Sequence, residues 1–81
     1  MISNLSRKLL IKIGNTREKD NYATNLSKNL CTLSVANQII KQLEKKDLVV
    51  HSWVGTRKIL KLTKKGKRVI YLLQELEKEW N

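Results

Sequence analysis

Cys31-Thr-Leu-Ser-Val-Ala-Asn-Gln-Ile-Ile-Lys-Gln-Leu-Glu-Lys-Lys-Asp-Leu-Val49 decides how the rest of the chain is read. Within it Ala36, Ile39, Ile40 and Leu43 recur at the i, i+3, i+4, i+7 spacing that lays apolar side chains along one face of a helix. Ser34, Val35, Asn37, Gln38, Lys41 and Gln42 fall on the other side. Thr32 stands where a helix start needs an oxygen to accept from a free backbone N–H, with Ser34 an alternative one step inside. The spacing predicts a helix over about 33–46, closed by the charged turn at Glu44-Lys-Lys-Asp47.

Upstream, Leu26 and Leu30 lie four apart and mark the buried stripe of a second short helix, with Thr24 or Asn25 as its cap. Cys31 then sits in the turn between the two helices, pointing inward as a small apolar residue; a reactive thiol is the sharper reading, but no nearby base is evident to activate it. Tyr22-Ala23 reads as a short strand or an extended entry, and residues 15–21 as a polar loop. Leu5, Leu9, Leu10 and Ile13 define a first helix from about residue 3 to 13, stopped by Gly14-Asn15.

Downstream, Leu48-Val-Val-His-Ser-Trp53 is rich in β-branched and aromatic residues and reads as a strand. Val54-Gly55-Thr56 is the turn, with Gly55 supplying a positive φ. Arg57-Lys-Ile-Leu-Lys-Leu62 returns, Leu60 and Leu62 on one face and Arg57, Ile59 and Lys61 on the other. Thr63 caps a last helix over about 64–80, with Gly66 in its first turn. The expected class is α+β, mainly α: helix, (strand), helix, helix, strand, strand, helix, in one domain spanning 1–81.

The charge narrows the function. The chain has 17 Lys and Arg against 7 Asp and Glu, a net charge of +10. Residues 69–81 hold Lys78 against Glu75, Glu77 and Glu79, so the other 16 basic and 4 acidic side chains lie in residues 1–68. A polyanion is the simplest partner for such a body, and nucleic acid the commonest one. Amides, hydroxyls and lysines on the 33–46 helix are the groups that bond base edges and phosphates. A single cysteine excludes an intramolecular disulfide and a cysteine zinc cluster. No apolar run approaches the roughly 20 residues that span a bilayer, no helix pairs a cationic face with aromatics, and the start lacks a signal-peptide pattern. The chain is therefore expected to be soluble and cytoplasmic, at the nucleoid, or in a host cytoplasm if its source is viral. No paired acid and base, metal cluster or phosphate loop is present, so no catalytic residue, metal, cofactor or small-molecule ligand is expected. His51 reads as a surface or hydrogen-bonded residue, and Trp53 as packed against the hairpin or a neighbouring helix.

From Ala23 to about Val69 the chain resembles the winged helix-turn-helix domains of bacterial and archaeal transcription regulators, the MarR-like and PadR-like families above all. The resemblance rests on Thr24-Asn-Leu-Ser-Lys-Asn-Leu30 as the helix before the recognition helix, on Leu43-Glu-Lys-Lys-Asp-Leu-Val49 as the recognition helix's end, and on Leu62-Thr-Lys-Lys-Gly66, which fits the Leu-Thr-x-x-Gly that follows the wing. Asp47 departs from the pattern, standing where those families usually have glycine; aspartate tolerates a left-handed backbone better than most residues. The wing is expected to be short, and these residues to lack the extra terminal helices of MarR-like proteins.

The resemblance implies a sequence-specific regulator of double-stranded DNA. The recognition helix at about 33–46 would enter the major groove, and the wing at 53–58 would touch backbone or minor groove. Asn37 and Gln38 would contact bases, Val35 a thymine methyl, with Ser34 and Gln42 on the same groove-facing side, and Lys41 and Lys45 would touch phosphates. Thr24, Asn25, Lys28 and Thr32 would approach phosphates near helix starts, and Thr56, Arg57 and Lys58 would form a cationic wing tip. The run Lys64-Lys-Gly-Lys-Arg68 opposes its helix dipole and is not assigned a primary contact. On the terminal helices, residues 1–13 and 69–81, the apolar side chains Leu5, Leu9, Val69, Leu72, Leu73, Leu76 and Trp80 read as a seam for a homodimer. Two other classes stay open: an architectural protein that coats DNA with little sequence preference, and a winged domain used for protein contacts.

Overall fold

The computed structural model describes residues 3–80, and of Trp80 only the backbone. The elements are α1 (Asn4–Asn15), a 3₁₀ turn (Glu18–Asp20), α2 (Ala23–Ser27), α3 (Leu33–Lys45), β1 (Val49–Val54), β2 (Arg57–Leu62) and α4 (Lys64–Trp80). The two strands form one antiparallel hairpin. This is a helix-turn-helix followed by a wing and a closing helix, as the residue pattern predicts. Leu9 and Leu10 of α1, Leu26 of α2, Ala36, Ile40 and Leu43 of α3, and Val49 and Leu60 at the wing's base share one buried core.

Local chemistry sets the element ends. Ser3 caps α1 by accepting from the Ser6 N–H at 3.1 Å, and Thr32 caps α3 by accepting from the Val35 N–H at 3.3 Å. At the other end of α3, the Leu48 N–H donates to the Leu43 carbonyl at 3.0 Å and the Asp47 N–H to the Glu44 carbonyl at 3.0 Å. Asp47 between them has φ +62°. This is a Schellman closure, with aspartate in the left-handed position that glycine usually fills.

Of the two readings of Tyr22-Ala23 the extended entry holds: Tyr22 is extended without pairing as a strand, and a single bond from the Leu60 N–H to the Asn21 carbonyl, 2.8 Å, ties this segment to the wing. Four expectations are corrected. Neither Thr24 nor Asn25 caps α2. Tyr22 is extended, and its carbonyl accepts from the Asn25 and Leu26 N–H groups, so the helix begins at Ala23. Gly14 does not stop α1, which continues to Asn15; a Cβ on Gly14 would lie 3.0 Å from Ile70 Cδ1, so its smallness serves the packing of α1 on α4. The hairpin turn has two residues, Gly55 and Thr56, because Val54 pairs with Arg57. Gly55 alone carries a positive φ there, as in a type II′ turn. Ile59, expected on the open face, is buried, because Glu18 and Lys19 of the 3₁₀ turn lie beside it.

Trp53 differs in the opposite sense. It shares the α3-facing side of the hairpin with His51, Lys58 and Leu60, but near the far end, and stays 64% exposed.

The wing and α4 are joined by a tight knot. The Thr63 N–H donates to the Leu48 carbonyl at 3.1 Å, the Thr63 hydroxyl donates to the Asp47 carbonyl at 2.6 Å, and the same hydroxyl oxygen accepts from the Gly66 N–H at 2.9 Å. A Cβ on Gly66 would fall 2.1 Å from the Leu48 carbonyl oxygen. Backbone there cannot move without breaking the knot. Gly66→Ala is therefore expected to lose about 2 kcal/mol or more, despite alanine's better helix propensity. Gly14→Ala meets only the movable ends of Ile70 and Leu62 and gains about 1 kcal/mol of propensity, so its net change should be near zero. Urea denaturation of both variants checks the contrast.

Candidate nucleic-acid interface

The solvent side of α3 is ordered by its period. Ser34, Gln38, Lys41 and Lys45, at spacings of four, three and four, form an exposed crest opposite Ala36, Ile40 and Leu43. Asn37 lies on the flank toward the wing, in a cleft with Trp53 and Lys58. Gln42 lies on the other flank, toward Ser3 and Ser6. Val35 is exposed in the first turn. The residues expected to read bases are thus all accessible, but Asn37 and Gln42 point to opposite edges of the crest.

The α2–α3 turn brings a second set alongside. Thr24 is exposed and shares the cleft with Asn37. Asn25 is half-buried and its amide donates to the Asp20 carbonyl at 2.9 Å, so it serves the turn rather than standing free. Lys28 is exposed, and the chain reverses after it through Asn29 at φ +65°. Lys12 of α1 reaches across and donates to the Leu26 and Lys28 carbonyls at 3.0 and 3.2 Å, closing the end of α2. Thr32 is exposed, but its side-chain oxygen is already used by the α3 cap.

On the wing, Thr56 sits in the turn and Arg57 is exposed. The Arg57 guanidinium lies 4.6 Å from the centroid of the Tyr22 ring. Stacking of this kind fixes the group while leaving the donors around its rim free for a phosphate. Lys58 is not at the tip in the sense expected. Its side chain is on the α3-facing side of β2, and its ammonium lies 3.3 Å from Glu44 Oε1. The same carboxylate oxygen lies 3.0 Å from His51 Nδ1. Glu44, the sole acid of α3, is therefore turned into the wing and away from the crest.

Three other acids are paired away from this crest: Glu18 with Lys61 at 2.7 Å, Glu77 with Arg7 at 3.4 Å and Glu75 with Lys78 at 3.6 Å. The crest of α3 and the tip of the wing thus keep an uncompensated positive field. Lys65 of the basic run is spent partly on structure, donating to the Lys46 carbonyl at 3.0 Å. Among the described residues no cluster of His, Cys, Asp or Glu is placed to hold a metal ion, and no helix is long and apolar enough to cross a membrane.

The terminal helices divide the expected seam. Leu9 is fully buried in the chain's own core and is removed from any candidate interface. Leu5 and Val69 are partly buried against that core, and Leu73 is half-buried. Leu72 and Leu76, one turn apart, are 57% and 60% exposed and form the free apolar edge of α4. The Trp80 side chain lies outside the described residues. Sequence reasoning missed Leu33, 45% exposed beside the wing, and Tyr22 beneath Arg57. Leu33 follows the cap Thr32 directly and lies outside the Ala36, Ile39, Ile40, Leu43 stripe, so the period gave it no role.

Compared with protein families and with curated proteins, the chain finds no match. Solved structures do match. MepR, a transcription regulator of the Staphylococcus aureus multidrug efflux pump MepA, superposes with a TM-score of 0.91 at 20% identity, over 98% of this chain and 60% of that one. A MepR–DNA complex gives 0.85 at 21% identity, over 98% and 59%. AF1382 from Archaeoglobus fulgidus gives 0.85 at 21% identity, over 100% and 92%. The chain spans about 60% of the length of MepR. At these identities the likeness shows the fold, a winged helix-turn-helix.

Ion pairs this exposed are worth little in stability, about 0–1 kcal/mol, so the work of Glu44 is to set the wing against α3. Glu44→Ala is expected to cost no more than about 1 kcal/mol in a urea melt while amide hydrogen exchange in β1 and β2 becomes faster. Unchanged exchange in the wing would show that the hairpin holds its angle without the carboxylate.

Proposed function

We propose that the chain is a transcription regulator that binds double-stranded DNA in a sequence-dependent way. The observation that carries this is the crest of α3: hydroxyl, amide and lysine side chains stand exposed, while the helix's own carboxylate is drawn into the wing. Amides on phosphates alone would add little, whereas Gln38 and Asn37 can each pair bidentately with adenine in a major groove. In this reading Ser34, Val35 and Gln42 complete the base-facing set, and Lys41, Lys45, Lys28 and Arg57 meet phosphates, with Thr24, Thr32 and Thr56 at their side. Residues 14–68 supply the DNA-binding unit. A protein of the same fold, MepR, forms a complex with DNA, which supports the assignment.

The second copy belongs to the same proposal. Leu72 and Leu76 offer an apolar edge on α4, extended by Leu5 and Leu73 at its margin. A two-fold pair would set two α3 helices about one DNA turn, roughly 34 Å, apart.

In vitro selection of bound duplexes, followed by salt titration on the selected and a random sequence, tests specificity. Gln38→Ala should lose about 1–3 kcal/mol on the selected duplex and little on the random one. Lys41→Gln should weaken both and lower the salt slope by about one. Equal affinity and equal slope on the two duplexes would make the protein an architectural coat instead, and no binding to any duplex at low salt would point to protein contacts.

The dimer has its own test. Leu72→Glu with Leu76→Glu should convert a dimer to a folded monomer in sedimentation, because both side chains are already exposed and their loss leaves the core intact. A wild-type chain that sediments as a monomer at high concentration would remove this part of the proposal.

A further inference from the structure

An exposed tryptophan at a fixed angle calls for an explanation. Trp53 is 64% exposed, yet it is not loosely placed. Its ring meets His51 edge-on, centroids 6.2 Å apart at 83°, and His51 Nδ1 lies 3.0 Å from Glu44. Lys58, directly across from Trp53 in the hairpin, is held by the same carboxylate at 3.3 Å. Helix α3 thus orients the indole through one side chain. Opposite stands Leu33, 45% exposed. With Tyr22, Thr24 and Asn37 these residues line an open cleft between the start of α2, the first turns of α3 and the wing. Its floor is apolar, and Arg57 gives its rim a positive charge, while Lys58 beside it is paired with Glu44.

The occupant follows from the position. In a B-form duplex one sugar–phosphate strand separates the major groove from the neighbouring minor groove. A protein that lays a helix in the first and a hairpin over the second must straddle that strand. The strand alternates an aliphatic deoxyribose with an anionic phosphate, which suits an apolar floor with a cationic rim. Bases in a duplex are stacked and paired, so an indole approaching from outside meets sugars and not base faces.

We infer that the cleft between α3 and the wing seats one strand of the duplex, with the indole of Trp53 against a deoxyribose and Arg57 on an adjoining phosphate. The inference rests on the DNA-binding reading above and adds to it a contact that is apolar and insensitive to salt. An apolar small molecule or a protein segment in the same cleft is the competing occupant.

The test is anisotropy of a labelled random-sequence duplex, titrated at several salt concentrations with wild-type protein, Trp53→Ala, Trp53→Phe and Arg57→Gln. Trp53→Ala should weaken binding by about five- to tenfold with the salt slope unchanged, and Trp53→Phe, which keeps a ring, should recover most of the loss. Arg57→Gln should weaken binding and lower the slope by about one. Tryptophan emission should change when duplex is added to wild type, and change less in Trp53→Phe. Because Trp53 is exposed, circular dichroism should show each Trp53 variant folded. Wild-type affinity in Trp53→Ala, alongside a weakened Arg57→Gln, would overturn the inference while leaving DNA binding in place. Tighter binding and stronger quenching with a single strand than with the duplex would overturn it in favour of stacking on bases. Failure of the wild type to bind any duplex would sink the DNA-binding reading and this inference together.

Discussion

The carbonyl of Leu48 is the point on which the arrangement turns. It accepts from the Thr63 N–H and leaves room beside it only for a residue without a Cβ, which is Gly66. Thr63 adds a bond to the Asp47 carbonyl on one side and takes one from the Gly66 N–H on the other. Three elements therefore meet on two adjacent peptide groups: the end of α3, the base of the wing and the start of α4. The left-handed Asp47 makes this possible by reversing the chain inside a three-residue turn, Lys46 to Leu48, between α3 and β1. A looser junction would let the wing pivot against α3, with the Glu44 contacts to His51 and Lys58 further out left to oppose it.

Charge placement works on a second level. Exposed ion pairs add little stability, and the chain's body carries a large positive surplus that must repel itself. The acids reduce that cost where they do not disturb the crest of α3. Glu18 serves β2, Glu77 serves α1, and Glu44 turns toward His51 and Lys58. The result separates two tasks on one helix. One flank of α3 binds and orients the wing, while its crest remains cationic and polar. The proposed DNA contact depends on that separation more than on the number of lysines.

Much of this was legible because it depends on period and on local hydrogen bonding. The spacing of Ala36, Ile39, Ile40 and Leu43 defines the buried face of α3, and all four are buried. Thr32 and Thr63 cap helices as their side chains predict, and Gly55 takes the positive φ expected of it. What sequence did not yield is decided by neighbours distant in the chain. Leu9 and Leu5 have the same helical spacing, and only the packing of α1 on the core separates a buried leucine from a marginal one. Ile59 and Trp53 each break the expected alternation of a hairpin. One is covered by a 3₁₀ turn no residue pattern announces, and the other projects past the body that would have covered it. Lys58 reads in sequence as part of a cationic wing tip, yet Glu44, fourteen residues away, draws it toward α3. Asn37 and Gln42 likewise share a helix face on paper, yet look toward the wing and toward α1 respectively.

The constraint at Leu48 reaches beyond the single chain. Helix α4 has 17 residues, about 25 Å of rise, and its first turn is fixed to the base of the wing. Its direction relative to α3 is therefore set by the knot, with Val69, Ile70 and the Arg7–Glu77 pair holding it against the rest of the body. If two copies meet through Leu72 and Leu76, as proposed, the separation and tilt of their α3 helices follow from this rigid angle and not from a flexible linker. A module this small would bury only about 600–1,000 Å² on DNA, and its amides alone would give modest discrimination. Rigid pairing would convert two such contacts into one longer site whose spacing is itself a criterion for binding. The glycine that lets α4 approach the wing would then govern which spacing of half-sites the protein accepts.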